Sequence, residues 1–275
     1  MRFLFRRNSF RAVAIVAVRN EKHYIGRCLQ HLASQGISVC VIDNDSTDGT
    51  SEIVAAFDPA VVIKNVRYPY AGFYDWEGLL RLKQQLASEI PADWFMHVDA
   101  DEIPQAPRPG QTLKDAIRDV DRRGNNAINF DEFVFVPSSD DERWEGRDYV
   151  AGIKQYYFFE PHPLRMIRAW KNMGSPVDLA SSGGHNVHFS DRRIHPESFV
   201  MRHYITLSRE YLIQKYGARI FSPAELEKGW HFNRVNLQME RLHMPRDSRL
   251  KTCREDGHWD KSNPCTEHFF AARTP

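Results

Sequence analysis

Four short apolar runs alternate with amphipathic stretches over the first hundred residues, and this alternation constrains the fold more than any other feature. The runs are "AVAIVAV" (12–18), "ISVCVI" (37–42), "AVVIKNV" (60–66) and "DWFMHV" (93–98). Each is short, bounded by polar residues and rich in β-branched side chains, the pattern of a strand buried on both faces. Between the first two, "NEKHYIGRCLQHLASQG" puts Tyr24, Ile25, Cys28, Leu29 and Leu32 on one stripe, with Asn20 as the expected cap and Gly36 as the stop. A second helix is expected with Ile53, Val54 and Phe57 inward, and a third, "YDWEGLLRLKQQLASEI", with Leu79, Leu82 and Leu86 along one face. Strands alternating with helices place the chain in the α/β class, with a mainly parallel central sheet flanked by helices on both sides. Such sheets bind ligands outside the carboxyl ends of their strands.

The chain has 275 residues, 42% hydrophobic and 27% charged, which suits a packed core and argues against wholesale disorder. A net charge of +1 argues against a nucleic-acid binder, which usually carries a basic excess. The opening "MRFLFRRNSFR" is basic and aromatic, and is expected to be solvated or to touch an anionic membrane surface. The apolar run that follows is only 7 residues long, too short to span a bilayer. The expectation is a cytoplasmic protein, peripheral at the inner membrane if the N-terminus binds there. Cys28 and Cys40 sit in apolar segments and read as core thiols. Cys253 and Cys265 stand near His258 and His268 in a spacing unlike the usual zinc sites, so incidental thiols in a loose tail are expected.

Beyond residue 110 the pattern changes. "TLKDAIRDVDRRG" is a helix with Leu113, Ala116, Ile117 and Val120 inward, while "AINFDEFVFVP", "QYYFFEP" and "RMIRAWK" are strand-like. "SSGGHNVHFSDRR" is a Gly/Ser/His loop, and "SREYLIQKYGARIF" a helix capped by Ser208. These elements suggest one domain over 1–245, with a nucleotide-binding half (1–110) and an acceptor-side half (111–245), followed by an irregular tail (246–275).

Three polar clusters fall just after predicted strands: "RNE" (19–21), "DNDSTD" (43–48) and "DADE" (99–102). The middle one fails as an EF-hand, since Thr47, Asp48 and Val54 stand where an acid or amide, Gly and Glu belong. Ser46, Thr47 and Asp48 could simply cap the next helix. A parallel sheet, however, brings all three clusters to one edge. In an extended backbone Asp99 and Asp101 point the same way. Two adjacent carboxylates repel, and a divalent cation relieves this. Mg²⁺ or Mn²⁺ is typically held by one or two carboxylates and completed by substrate phosphates, so D-x-D at a strand end suits a metal–diphosphate site.

The segments "AVRNEKHYIGRCLQHL", "VIDNDSTDGTSEIV" and "WFMHVDADEI" together resemble the three motifs of family 2 glycosyltransferases with the GT-A fold. "GGHNVHF", "RHYITLSREYLIQKYGAR" and "GWHF" resemble a bacterial subgroup of that family. The resemblance implies transfer of a sugar from a UDP- or GDP-sugar to a glycan or lipid-linked acceptor, with inversion, in surface glycan synthesis. It implies that Val18, Arg19, Glu21, Asp43, Asp45 and Asp99 bind the nucleotide sugar, and that Asp99 and Asp101, with a late His, hold Mn²⁺ or Mg²⁺. His185 is the first choice for that His and His188 the second. Two departures stand out: Val18 and Arg19 replace the family's usual Thr and Tyr, and Asp45 replaces a Gly that usually allows positive φ, which Asp tolerates better than most. The general base is expected among Asp131, Glu132, Glu160 and Asp178, with Asp178 and then Glu132 preferred. His203, Lys215 and Arg219 could face the diphosphate, and the aromatic strands could stack on sugars or fill the core. A sugar nucleotidyltransferase is the competing enzyme, weakened because "RNEK" has no Gly for a phosphate loop. A catalytically inactive nucleotide- or carbohydrate-binding module is the non-enzymatic alternative.

Overall fold

The structure, a computed structural model, describes residues 10–217, 219–231, 242–246, 248–254 and 256–271. Most of the basic N-terminal stretch expected to be solvated or to touch a membrane surface, and Phe232 of "GWHF", lie outside these residues.

The four apolar runs form parallel strands as expected. β1 (Ala12–Val18) lies between β2 (Ser38–Asp43) and β4 (Trp94–Asp99), and β3 (Val62–Arg67) pairs with β2 at the edge. Strand alternation sorts their side chains into two layers. Ala14, Val16, Val39, Val41, Met96 and Val98 pack on one face with helices α1 (Ile25–Ser34) and α4 (Leu113–Arg122). Val13, Ile15, Cys40, Ile42 and Phe95 pack on the other with α3 (Trp76–Glu89). Each fully buried Val or Ile contributes roughly 1.5–3 kcal/mol of transfer free energy, which explains why these short runs are mostly apolar. Cys28 and Cys40 are buried free thiols, as expected.

The second half is mixed rather than parallel. β8 (Ile167–Lys171) runs antiparallel to β4 and to β6 (Ala127–Phe135), and β7 (Gln155–Phe159) runs antiparallel to β6. Two strands escaped the sequence reading. β5 (Glu102–Gln105) begins inside "DADE" and pairs antiparallel with β9 (Phe199–His203), which runs parallel to β6. Both are too short to show a period. The aromatic strands mostly build core: Phe133, Phe135, Tyr156 and Phe158 are buried. The short helices α2 (Thr50–Ala55), α5 (Tyr149–Gly152) and α7 (Pro223–Glu227), the helix α6 (Arg209–Gly217) and the two-residue β10 (Lys251–Thr252) complete the described elements.

Local capping differs from expectation at one end. Asn20 does not cap α1, which starts at Ile25; it takes a positive φ of 57° and its side chain accepts from Thr47 N at 2.8 Å, tying the first polar turn to the second. Asp48 accepts from Thr50 N at 3.0 Å at the start of α2, and Ser208 accepts from Tyr211 N at 3.0 Å at the start of α6.

Candidate active site

A cavity of about 420 Å³ opens at the carboxyl ends of β1 and β4. The strand ends supply Val18, Arg19, Glu21, Asp99, Asp101 and Glu102. The second half supplies Glu132, Arg165, Arg168, His203, Lys215 and Arg219, and the Gly-rich loop supplies Gly183 and His185. The first and third polar clusters therefore converge on one site, as the parallel-sheet argument requires.

The second cluster does not reach it. Asp43 is buried, and its carboxylate accepts from Ser46 N at 2.9 Å and from the Ser51 hydroxyl. Asp45 adopts the positive φ expected at a Gly position, 51°, and binds Arg67 Nε at 2.5 Å and Tyr70 N at 2.9 Å. Neither lines the cavity. Arg19 links the two: it donates to Asn44 O (2.6 Å) and Asp45 O (2.8 Å) while stacking 3.3 Å above Tyr70.

Carboxylates and cations interleave on one wall. Asp101 Oδ2 accepts from Lys215 Nζ at 2.8 Å and faces His203 Nε2 at 3.7 Å. His203 Nδ1 donates to Glu132 Oε1 at 2.6 Å, and the other Glu132 oxygen pairs with Arg165. Burial opposes every charge in this chain, but the partners win. Lys215 and His203 hold Asp101 well below the usual carboxylate range, and Asp101 and Glu132 hold His203 well above the usual imidazole range. The His203 ring is therefore a cation bridging two carboxylates. Glu21 Oε1 stands 3.4 Å from Lys215, and burial pushes Glu21 up to about 7.

Asp99 sits at the end of a second series. Strand alternation aims Phe95, His97 and Asp99 at α3, where Lys83 is fully buried. Lys83 Nζ lies 2.9 Å from His97 Nδ1. An ammonium has only donors, so His97 Nδ1 accepts and the ring proton stands on Nε2, 3.7 Å from Asp99 Oδ1. Burial, reinforced by the Lys83 charge, keeps His97 neutral. Burial also pulls Lys83 down to about 8. On its other side Asp99 faces Arg168 at 3.5 Å, and Arg168 is paired to Glu102.

Aromatic rings also line the cavity. Tyr74 and Trp76 stack with centroids 5.7 Å apart, and Trp230 and His231 extend the surface. Trp76 Nε1 donates to Gly183 O at 2.9 Å. At Gly184, with φ of 83°, a Cβ would lie 3.0 Å from Leu80 and 3.3 Å from His97 Nε2. Glycine is thus needed for the loop to press against β4 and α3 and present His185 to the cavity.

Of the four candidate bases, Glu132 alone lines the cavity. Asp178 accepts from Ser181 N at 3.0 Å, starting a 3-10 turn, and its backbone pairs with that of the exposed His188. Asp131 pairs with Lys261. The residues missed in the sequence are Lys83, His97, Arg165, Arg168, Tyr74, Trp76 and Trp230. Lys83 left a trace, since it interrupts the apolar stripe of α3 between Leu79 and Leu86.

The expected divalent cation can be tested against this donor set. Asp99 and Asp101 both face the cavity, as a metal bound jointly with phosphates requires. Yet Asp101 already holds Lys215 and His203, and Asp99 stands among Lys83, His97 and Arg168. Among the described residues no group of three or more His, Cys, Asp or Glu is placed to hold a metal ion, His185 and the Cys253/Cys265 region included. In this arrangement the residues do not fit a divalent ion, which would have to expel the Lys215 ammonium.

Residues 13–121 match the model of glycosyl transferase family 2. A comparison with curated protein sequences finds no match. Among solved structures, S. aureus TarS is 15% identical over 82% of this chain, with a TM-score of 0.44, and the chain spans 43% of that protein's length. S. aureus TarS 1–349 in complex with UDP-GlcNAc is 13% identical, covering 84% of this chain and 78% of that one, with a TM-score of 0.46. A UDP-glucose pyrophosphorylase complexed with UDP-glucose is 8% identical, covering 75% and 97%, with a TM-score of 0.31. The sequence match to glycosyl transferase family 2 covers most of β1, β2 to β4, the D-x-D turn and most of α4.

Proposed function

We propose that the chain transfers a sugar from a nucleoside diphosphate sugar to an acceptor hydroxyl, within this cavity. The observation that carries the reading is that one cavity lining gathers cations (Arg165, Arg168, His203, Lys215, Arg219) and aromatic rings (Tyr74, Trp76, Trp230). A diphosphate matches the first, and a sugar ring, apolar on its faces, matches the second. Arg19 and Glu21, which line the cavity beyond the end of β1, are assigned to the nucleotide.

In a single displacement the acceptor oxygen bonds to the anomeric carbon as that carbon's bond to the diphosphate oxygen breaks. The nucleoside diphosphate leaves with the bonding pair, and inversion follows. The fixed cations need no reorganisation as negative charge grows on the leaving group. The acceptor proton requires a carboxylate within reach, and we assign this role to Glu132, which faces the cavity. At rest both Glu132 oxygens are engaged, so taking the proton means loosening its bond to His203 or Arg165. Asp178, committed to a turn beside the loop, is assigned a structural role.

The test is release of nucleoside diphosphate from a panel of UDP- and GDP-sugars, with and without saccharide acceptors. Turnover that Asp101→Asn reduces by about 100-fold or more supports the reading. If no donor turns over, while nucleotide sugar forms from nucleoside triphosphate and sugar 1-phosphate, the chain is a nucleotidyltransferase. If neither reaction occurs but nucleotides bind, it is a binding module.

A further inference from the structure

Lys215 stands where a cation bound to the second carboxylate of the D-x-D motif would stand. Its ammonium lies 2.8 Å from Asp101 Oδ2 and 3.4 Å from Glu21 Oε1, its side chain is 9% exposed, and it sits 5.0 Å from the centre of the Tyr24 ring. A positive charge is thus built into the protein between two cavity carboxylates, on the α6 side of the site. Four residues on, Arg219 lines the same cavity, stacked 4.5 Å over Tyr74 and 5.6 Å over Tyr216. It forms no ion pair among the described residues. Arg168 and Arg165 differ, being committed to Glu102 and Glu132. The site therefore holds one ammonium that neutralises the motif's second carboxylate and one guanidinium left over for an incoming anion. A stacked guanidinium is oriented for two parallel hydrogen bonds to phosphate oxygens.

We propose that this enzyme holds its donor's diphosphate with Lys215 and Arg219 and without a divalent metal, Lys215 taking the place that a metal ion would take beside Asp101. The inference rests on the nucleotide-sugar reading above and concerns only how the diphosphate is held. A divalent ion at Asp101 would lie against the Lys215 ammonium, and like charges in a site this buried repel strongly. His203, charged between Asp101 and Glu132, adds to the same repulsion. The D-x-D carboxylates then serve to fix cations of the protein rather than cations of the solvent.

Titration calorimetry of the full chain with UDP and with GDP, once in excess EDTA and once with Mn²⁺ or Mg²⁺, tests this directly. At least one nucleotide is expected to bind in EDTA with a Kd within about threefold of its value with metal. In EDTA, Lys215→Ala and Arg219→Ala are each expected to weaken binding by about tenfold or more, the loss of a charge-assisted contact, and Lys215→Arg to recover part of it. Binding that appears only with metal overturns the proposal, as does a Lys215→Ala protein that binds nucleotide in EDTA as tightly as the parent does. The parent titrations need no variant to fold, and Arg219→Lys, milder than the alanine change, is expected to fall between parent and Arg219→Ala. If neither nucleotide binds under either condition, the nucleotide-sugar reading itself fails, and the proposal with it.

Discussion

The parallel half of the sheet and the mixed half are built from different kinds of contact. β1 to β4 pair in parallel throughout, and their side chains sort by simple alternation into two apolar layers. β5, β6, β8 and β9 meet across long separations, as Glu102 with His203, or Glu132 with Met201. The first half supplies Glu21, Asp99 and Asp101, and the second adds Glu132. The second supplies Arg165, Arg168, His203, Lys215 and Arg219. Neither half makes the site alone, and the charge balance across the seam couples their stability to their function.

The sharpest way to break this comparison is at the seam. Arg168, on β8, pairs with Glu102, on β5, both nearly inaccessible. Arg168→Ala leaves the Glu102 carboxylate buried beside Asp99 and is expected to cost about 3–5 kcal/mol in a denaturant melt. A loss below about 1 kcal/mol would mean that the halves do not depend on this pair. Next in size, Glu132→Gln is expected to lower turnover by about 100-fold with little change in donor affinity, while Asp178→Asn stays near the parent rate. The reverse pattern would return the base to Asp178.

Smaller effects separate structure from chemistry. Gly184→Ala must place a Cβ 3.0 Å from Leu80 at a φ of 83°, and is expected to destabilise by roughly 1–3 kcal/mol as measured by thermal melting. Because the loop carries His185 to the cavity, donor affinity should fall as well; a melt shifted without any change in binding would detach the loop from the site. Thr112→Ala is the control. It removes the cap of α4, where Thr112 Oγ1 accepts from Asp115 N at 3.2 Å, and is expected to cost about 1 kcal/mol while leaving nucleotide binding unchanged.

These contrasts also explain what could be read in the sequence. Period and capping are local, so β1 to β4, the inward faces of α1, α3 and α4, and the D-x-D turn stood out. The convergence of "RNE" and "DADE" followed from the parallel topology. "DNDSTD" shows the limit of that rule, because Asp43 and Asp48 spend their carboxylates on local turns. Buried ion pairs are the opposite case. Arg165 and Arg168 reach Glu132 and Glu102 only through the fold, Lys215 is legible as a candidate for the diphosphate but not as the partner of Asp101, and two strands at the seam, β5 and β9, are too short to show a period. Lys83 is intermediate: a lysine within an apolar stripe is visible, but only the fold shows His97 above it.

The most direct measurement is a crystal structure of the full chain with a UDP- or GDP-sugar bound. The account requires the diphosphate within hydrogen-bonding distance of Lys215 and Arg219, and the sugar ring against Tyr74, Trp76 or Trp230. A nucleotide sugar seated away from these residues, with the cavity at the ends of β1 and β4 empty, would contradict it.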